Sequence, residues 1–125
     1  MALSTGLIGQ AKLTVSEADT ALALGSGDVP VLGTPRVVAL CEEATVNALA
    51  NRLEPGFTSV GMRVQIDHLT PSSVGANVIA EATLEKVEGR RVTFQVSVND
   101  ECGLLAAGKV TRAIVELAAF LEKAR

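Results

Sequence analysis

The sequence predicts an α+β fold in which a curved antiparallel β-sheet wraps around one central helix. Two patterns support this prediction. Residues 34–51 place apolar side chains at the spacing of an α-helix, and the segments between residues 58 and 116 alternate apolar and polar side chains, as β-strands do. The helix is apolar over most of its surface, so it needs cover on most sides, and a sheet that curls around it provides that cover. A β-sandwich is the weaker alternative because it leaves this helix without a role.

The composition is that of a soluble protein with an aliphatic core. The chain has 125 residues, most simply one domain spanning residues 1–125, and its aromatic fraction is only 2%. A net charge of −3 disfavours nucleic acid and anionic membranes as partners, because phosphate binding needs a basic surface. Residues 1–10 contain no Lys or Arg, and no stretch approaches the ~20 apolar residues that a membrane span requires. We therefore expect a cytoplasmic protein.

The first part of the chain predicts a short strand and a long connection. Residues 10–15 alternate as a strand, and residues 16–33 contain the breakers Gly25, Gly27, Pro30 and Gly33. We expect residues 16–33 to form a loop with room for one helical turn. Both a lid over a site and a bare connection remain open for this loop.

The central helix is predicted to begin at Thr34 as N-cap, with Pro35 in the first helical position. Glu42 lies at the edge of the apolar sector, whereas the adjacent Glu43 projects to the far side. This difference marks Glu42 as the candidate functional acid. Cys41 is predicted to be a small core residue. It forms no CxxC pair with Cys102, which is the only other cysteine, so we predict no metal site.

Four long strands follow the helix. The predicted strands, separated by turn signals, are residues 58–69, 76–88, 91–100 and 104–116, and residues 118–125 form a short helix or a tail. In the first of them, Val60, Met62, Val64, Ile66 and His68 share one face, and Gly61 lies on the other. This order of elements is that of a hotdog fold.

Three ionisable residues fall beside or within apolar faces: Glu42, His68 and Arg112. Each would be costly there without a partner. Each by itself is open to a structural interpretation, as an ion pair, a dimer contact or a satisfied histidine. Together they can converge around the helix and its sheet, which is typical of a functional site.

Such a group suits hydrolysis of an activated acyl compound. Glu42 can activate water or attack the carbonyl itself, and His68 can orient the reacting groups or exchange a proton. Thr34 offers a hydroxyl at the start of the helix, a role compatible with capping. The free N–H groups of the helix N-terminus can polarise a thioester carbonyl.

The segments GTPRVVALCEEA, RLEPGFTSVGMRVQIDH, VEGRRVTFQVSVND and KVTRAIV resemble the fluoroacetyl-CoA thioesterase family of hotdog proteins. The resemblance covers about residues 31–116. It implies that Thr34, Glu42 and His68 are catalytic and that Gly61 and Arg112 bind the substrate. By itself, Gly61 within a strand predicts a bulge or a bend.

The resemblance also implies an acyl-CoA substrate, with CoA as part of the substrate and not a cofactor, and a homodimer with CoA along the subunit interface. The family's namesake has an aromatic lid residue before the catalytic Thr, and residues 21–33 contain no Phe, Tyr or Trp. The prediction is therefore a thioesterase that hydrolyses a short or small acyl-CoA to the free acid and CoA, with the acyl group itself unassigned. A hotdog hydratase or dehydratase acting on an enoyl or hydroxyacyl thioester, and a non-catalytic module that binds CoA esters, are the alternatives.

Overall fold

The computed structural model describes residues 3–124 and has the predicted α+β class. The elements are β1 (Ile8–Thr14), a 3-10 turn (Glu17–Asp19), α1 (Ala21–Leu24), α2 (Thr34–Ala48), β2 (Phe57–His68), β3 (Asn77–Glu88), β4 (Arg91–Asp100), β5 (Gly103–Glu116) and α3 (Leu117–Glu122). The final segment thus contains a short helix, and Arg125 lies outside the described residues. Within residues 3–124, no helix is both long enough and apolar enough to cross a membrane.

The five strands form one antiparallel sheet in the order β1-β3-β4-β5-β2. Strands β3, β4 and β5 form a meander, while β1 and β2 are the two edges. Helix α2 contacts all five strands, β1 and β3 most extensively. The predicted curved sheet around a central helix is therefore confirmed.

The core lies between α2 and the inner face of the sheet, and it is aliphatic as the composition predicts. The alternation predicted for β3 and β4 is confirmed, because their inward residues are almost fully inaccessible. The buried side chains of α2, β3 and β4 include Val37, Leu40, Cys41, Ala44, Val78, Ala80, Ala82, Leu84, Val92, Phe94, Val96 and Val98.

Strand β1 packs backbone to backbone against α2 at Gly9. A Cβ atom built on Gly9 would overlap the carbonyl oxygen of Ala44 and the backbone of Ala48. Only glycine allows this approach, because every other residue carries the atom that would collide. The contact brings β1 against the same stretch of helix that carries Glu42.

Strand β2 contains a β-bulge, which corrects two predictions of its alternation. Gly61 pairs with Arg112 but Arg63 pairs with Thr111, so Met62 is the extra residue. A bulge inserts one extra residue, so the residues on one side of it point to the face opposite to the one that uninterrupted alternation predicts. Met62 is consequently 51% exposed, not on the inner face with Val64, and Gly61 faces the helix. The bulge or bend predicted from Gly61 is confirmed.

The start of α2 also differs from the prediction. The N-cap is Gly33, and Thr34 is the first helical residue, with no capping bond from its hydroxyl. The hydroxyl bonds His68 instead, so a tertiary contact takes the oxygen that a cap would use. The helix ends at Ala48 and not at the predicted residue 51, because Asn51 adopts a left-handed φ of 62°.

The connection before α2 is more ordered than a plain loop. Thr20 caps α1, with its Oγ1 accepting from the Ala23 N–H at 3.1 Å. Isolated bridges join Thr20 to Leu32 and Val31 to Ser73, and Leu32 is only 1% exposed. The first bridge joins the two ends of this segment to each other, and the second attaches its C-terminal end to the turn before β3.

Candidate active site

Thr34 and His68 form the first polar pair between helix and sheet. Thr34 is the first residue of α2 and His68 the last residue of β2, and their Oγ1 and Nδ1 atoms are 2.9 Å apart. The other ring nitrogen, Nε2 of His68, is buried and has no hydrogen-bond partner within residues 3–124. A buried imidazole nitrogen without a partner is costly in a purely structural role, which points to a functional role for His68.

The environment of His68 favours the neutral imidazole. Burial lowers its pKa below the ordinary value of 6.5, and the backbone of Thr70 acts in the opposite direction to a smaller extent. A neutral ring carries one N–H donor and one acceptor. With Nδ1 engaged by Thr34, only Nε2 of His68 remains for a further hydrogen bond.

Glu42 and Arg112 form the second pair. Nη1 of Arg112 lies 3.4 Å from Oε2 of Glu42, and the Arg112 side chain is only 8% exposed. Its Nε donates to the Ser59 hydroxyl at 2.9 Å, and its Nη2 donates to the Ser59 carbonyl at 3.0 Å. Burial lowers the pKa of Arg112, and the Glu42 carboxylate counteracts this shift. The buried guanidinium thus has partners for each of its three nitrogens.

Gly61 provides the space that the Glu42 carboxylate occupies. A Cβ atom built on Gly61 would overlap Oε2 of Glu42 and lie 3.8 Å from Nη1 of Arg112. The Glu42 side chain is 34% exposed, whereas Glu43 points into solvent. The predicted difference between the two acids is therefore confirmed.

Cys41 does not compete with Glu42 as a nucleophile. It is fully buried, and burial together with the neighbouring Glu42 charge raises the pKa of its thiol to about 12. The thiolate is the reactive form of cysteine, so this side chain is inert near neutral pH. Within residues 3–124, no three His, Cys, Asp or Glu side chains are grouped so that they could hold a metal.

The structure thus brings the five predicted site residues together in two groups and not in one. Thr34 bonds His68, and Glu42 contacts Gly61 and Arg112. Eight residues of α2 separate Thr34 from Glu42, a rise of about 12 Å along the helix. No hydrogen bond found among residues 3–124 joins one group to the other.

A cavity of about 320 Å³ opens beside the first pair, and we call it the loop pocket. The lining residues are Ala21, Ser26, Gly27, Asp28, Val29, Val31, Leu32, Gly33, Thr34, His68, Leu69, Thr70 and Pro71. A larger groove of about 670 Å³ runs past Arg63 and Lys109 and contains none of the five predicted residues. The loop pocket is therefore the cavity associated with the site.

Ser59 is the functional neighbour that the sequence reasoning missed. It receives two hydrogen bonds from Arg112 and so helps to hold the partner of Glu42. The sequence feature that could have identified Ser59 is its position two residues before Gly61, which places both residues on the same face of β2. That signal is useful only once Gly61 is known to face the helix.

A strongly curved sheet around one helix, with polar side chains facing each other between them, defines a hotdog protein of the thioesterase superfamily. The family model described as fluoroacetyl-CoA-specific thioesterase matches residues 15–118, and the chain belongs to that family. The fluoroacetyl-CoA thioesterase of Streptantibioticus cattleyicolor is 37% identical over 95 residues, which are 76% of this chain and 68% of that protein.

Solved structures agree with this assignment. The fluoroacetyl-CoA thioesterase FlK superposes with a TM-score of 0.93 at 30% identity, covering 100% of this chain and 97% of that one. A thioesterase-superfamily protein from Thermus thermophilus gives a TM-score of 0.89 at 27% identity, covering 98% and 93%. The hotdog fold predicted from the order of elements is confirmed.

Proposed function

We propose that the protein is an acyl-CoA thioesterase that hydrolyses a small acyl-CoA to the free acid and CoA. The observation that carries the proposal is the Glu42 carboxylate, held against Gly61 by a buried arginine. A structural ion pair has no need of a glycine that clears space for the carboxylate. The relative from Streptantibioticus cattleyicolor, a fluoroacetyl-CoA thioesterase, supports the same reaction class.

In the proposed reaction, Glu42 removes a proton from water and the resulting hydroxide attacks the thioester carbonyl carbon. The C–S bond then breaks, and the departing thiolate takes the proton that Glu42 removed from water, which restores the carboxylate, while Nε2–H of His68 donates a hydrogen bond to the sulfur and keeps its proton. Thr34 fixes the imidazole through Nδ1. Direct attack by Glu42 gives a mixed anhydride that water then hydrolyses, and the products are the same. Gly61 and Arg112 lie beside Glu42 and would hold the substrate at the reacting carbonyl.

We further propose that the active protein is a homodimer joined through β2. Strand β2 is a twelve-residue edge, and its second side is unpaired within residues 3–124. Natural proteins cover such edges. Antiparallel pairing of two β2 strands about a two-fold axis brings the Thr34–His68 end of one subunit toward the Glu42–Gly61 region of the other. The dimer would thus unite the two groups, with CoA along the interface.

The two adjacent acids provide the test of function. Glu42→Gln should lower kcat for thiol release from a panel of acyl-CoAs by about 10²- to 10⁴-fold, as expected for loss of a general base or nucleophile. Glu43→Gln is the matched control, and it should keep nearly full activity because this side chain points into solvent.

Equal activities of the two variants would contradict the proposed role of Glu42. Thiol release also separates the alternatives, since a hydratase or dehydratase leaves the thioester intact. A module that only binds CoA esters would turn over none of them, and Glu42→Gln would then alter only its melting temperature.

A further inference from the structure

We propose that the loop pocket holds the acyl group and selects neutral aliphatic chains longer than two carbons, with Asp28 rejecting acyl carboxylates. This inference rests on the thioesterase function proposed above. It concerns the substrate class of the same site.

The position of His68 links the loop pocket to the acyl group. A group that donates a hydrogen bond to the departing sulfur must lie within hydrogen-bond reach of it. Nε2 of His68 is buried, has no partner within residues 3–124, and belongs to a side chain that lines the loop pocket. A thioester that contacts the His68 side chain from the loop pocket therefore places one of its two arms in this cavity.

The size and walls of the loop pocket favour an aliphatic chain. Its volume is about 320 Å³, whereas a two-carbon acyl group takes up roughly two water volumes, about 60 Å³. Its apolar wall residues are Ala21, Val29, Val31, Leu32, Leu69 and Pro71, none of them aromatic. Each additional methylene buried against such walls should improve kcat/KM about fourfold.

Charge in the loop pocket points to a neutral acyl group. Asp28 is the only Asp, Glu, Lys or Arg among the lining residues. An acyl carboxylate would therefore meet a like charge with no lysine or arginine to compensate it. Dicarboxylic acyl groups should be disfavoured.

Chain length tests the size selection. For the wild type, kcat/KM should rise from acetyl-CoA through butyryl-CoA to hexanoyl-CoA. Val29→Phe should remove this rise and lower kcat/KM for hexanoyl-CoA by a larger factor than for acetyl-CoA, because the ring fills space that longer chains use. Val29 is 48% exposed, so the larger side chain does not disturb the core. Leu22→Phe, on an exposed residue of α1 outside the pocket, is the control and should keep the wild-type profile.

Two results would overturn the size selection. One is a wild-type profile that does not rise with chain length. The other is a Val29→Phe loss that is equal for all three substrates, which would show that the cavity holds the pantetheine arm. Absence of thiol release from every acyl-CoA is a different result, because it removes the proposed function itself.

Succinyl-CoA and butyryl-CoA, which both carry four-carbon acyl groups, test Asp28. Asp28→Asn should raise the succinyl to butyryl ratio of kcat/KM by up to about tenfold, the scale of one partly exposed charge interaction. Glu17→Gln, an exposed acid outside the pocket, should leave the ratio unchanged. An unchanged ratio in Asp28→Asn, with a wild-type melting temperature, would contradict the role of Asp28.

Discussion

At the scale of single residues, the candidate site contains a histidine whose burial favours the neutral ring. Nδ1 of His68 is engaged by Thr34, and burial lowers the pKa of the ring. In the proposed mechanism, Nε2 must carry the hydrogen that it donates in a hydrogen bond to the departing sulfur. A neutral ring whose Nδ1 accepts from the Thr34 hydroxyl meets this need.

The pH dependence of the enzyme should report this shift. Because the folded pKa lies below 6.5, His68 should stay neutral, and kcat/KM should hold, to a lower pH than an ordinary histidine allows. The same shift affects stability, because the unfolded chain binds a proton at His68 more readily than the folded protein does. The free energy of unfolding should therefore fall as the pH drops through 6.5 toward the folded pKa.

His68 is the only histidine in the chain, so its imidazole resonances can be followed by NMR without assignment by mutation. Thr34→Val is the useful comparison, because it removes the hydroxyl while keeping a branched side chain. An NMR pKa at or above 6.5 in the wild type would contradict the assignment of a buried neutral ring.

The sequence alone was sufficient to distinguish Glu42 from Glu43, because helix periodicity depends only on local geometry. It was not sufficient for Thr34. A threonine before a proline is a good N-cap in isolation, and only the distant His68 explains why the cap falls on Gly33. Ser59 was missed for a related reason, since its role follows from Arg112, which is 53 residues away.

At the scale of elements, the bulge in β2 decides which side chains reach the helix. Uninterrupted alternation places Gly61 and His68 on opposite faces of the strand. The extra residue Met62 places both on the inner face, each in its own group of site residues. Strand positions and core faces could be predicted because period-2 patterns are strong in β3 and β4. Gly61 indicated a bulge or a bend in β2, but the identity of the extra residue, Met62, depends on pairing with β5, which a single strand does not encode.

Deletion of Met62 should therefore remove activity. Without the extra residue, regular pairing with β5 turns either the Ser59–Gly61 side or the Val64–His68 side away from α2. We expect thiol release to fall by at least 10²-fold, the scale of losing one general acid or base.

Met62→Ala is the matched control. It keeps the chain length and removes only a side chain that is 51% exposed, so it should retain most of the activity and the wild-type melting temperature. A deletion variant with wild-type activity would show that the bulge does not position the site.

At the scale of the whole molecule, the two groups of site residues and the open edge of β2 predict a shared active site. Glu42→Gln and His68→Ala subunits should each be inactive as homodimers. A mixed dimer would contain one site with both defects and one site with neither.

Refolding the two inactive variants together in equal amounts should restore about a quarter of wild-type activity, because half of the dimers are mixed and each has one intact site of two. Each variant refolded alone is the control. If the mixture stays inactive while size-exclusion chromatography shows dimers, each site is built within one subunit.

The contact of Gly9 with Ala44 and Ala48 has a consequence for how the family can diverge. There the helix is located against the sheet by peptide atoms, which are the same whatever the side chains. Ala44 is two residues beyond Glu42, so contacts between main-chain atoms fix the distance of the Glu42 carboxylate from the sheet. Val, Leu and Ile can therefore replace one another in the aliphatic core over evolutionary time. Loop residues such as 26–33 can also change, and with them the preferred substrate, while the Glu42 carboxylate keeps its position.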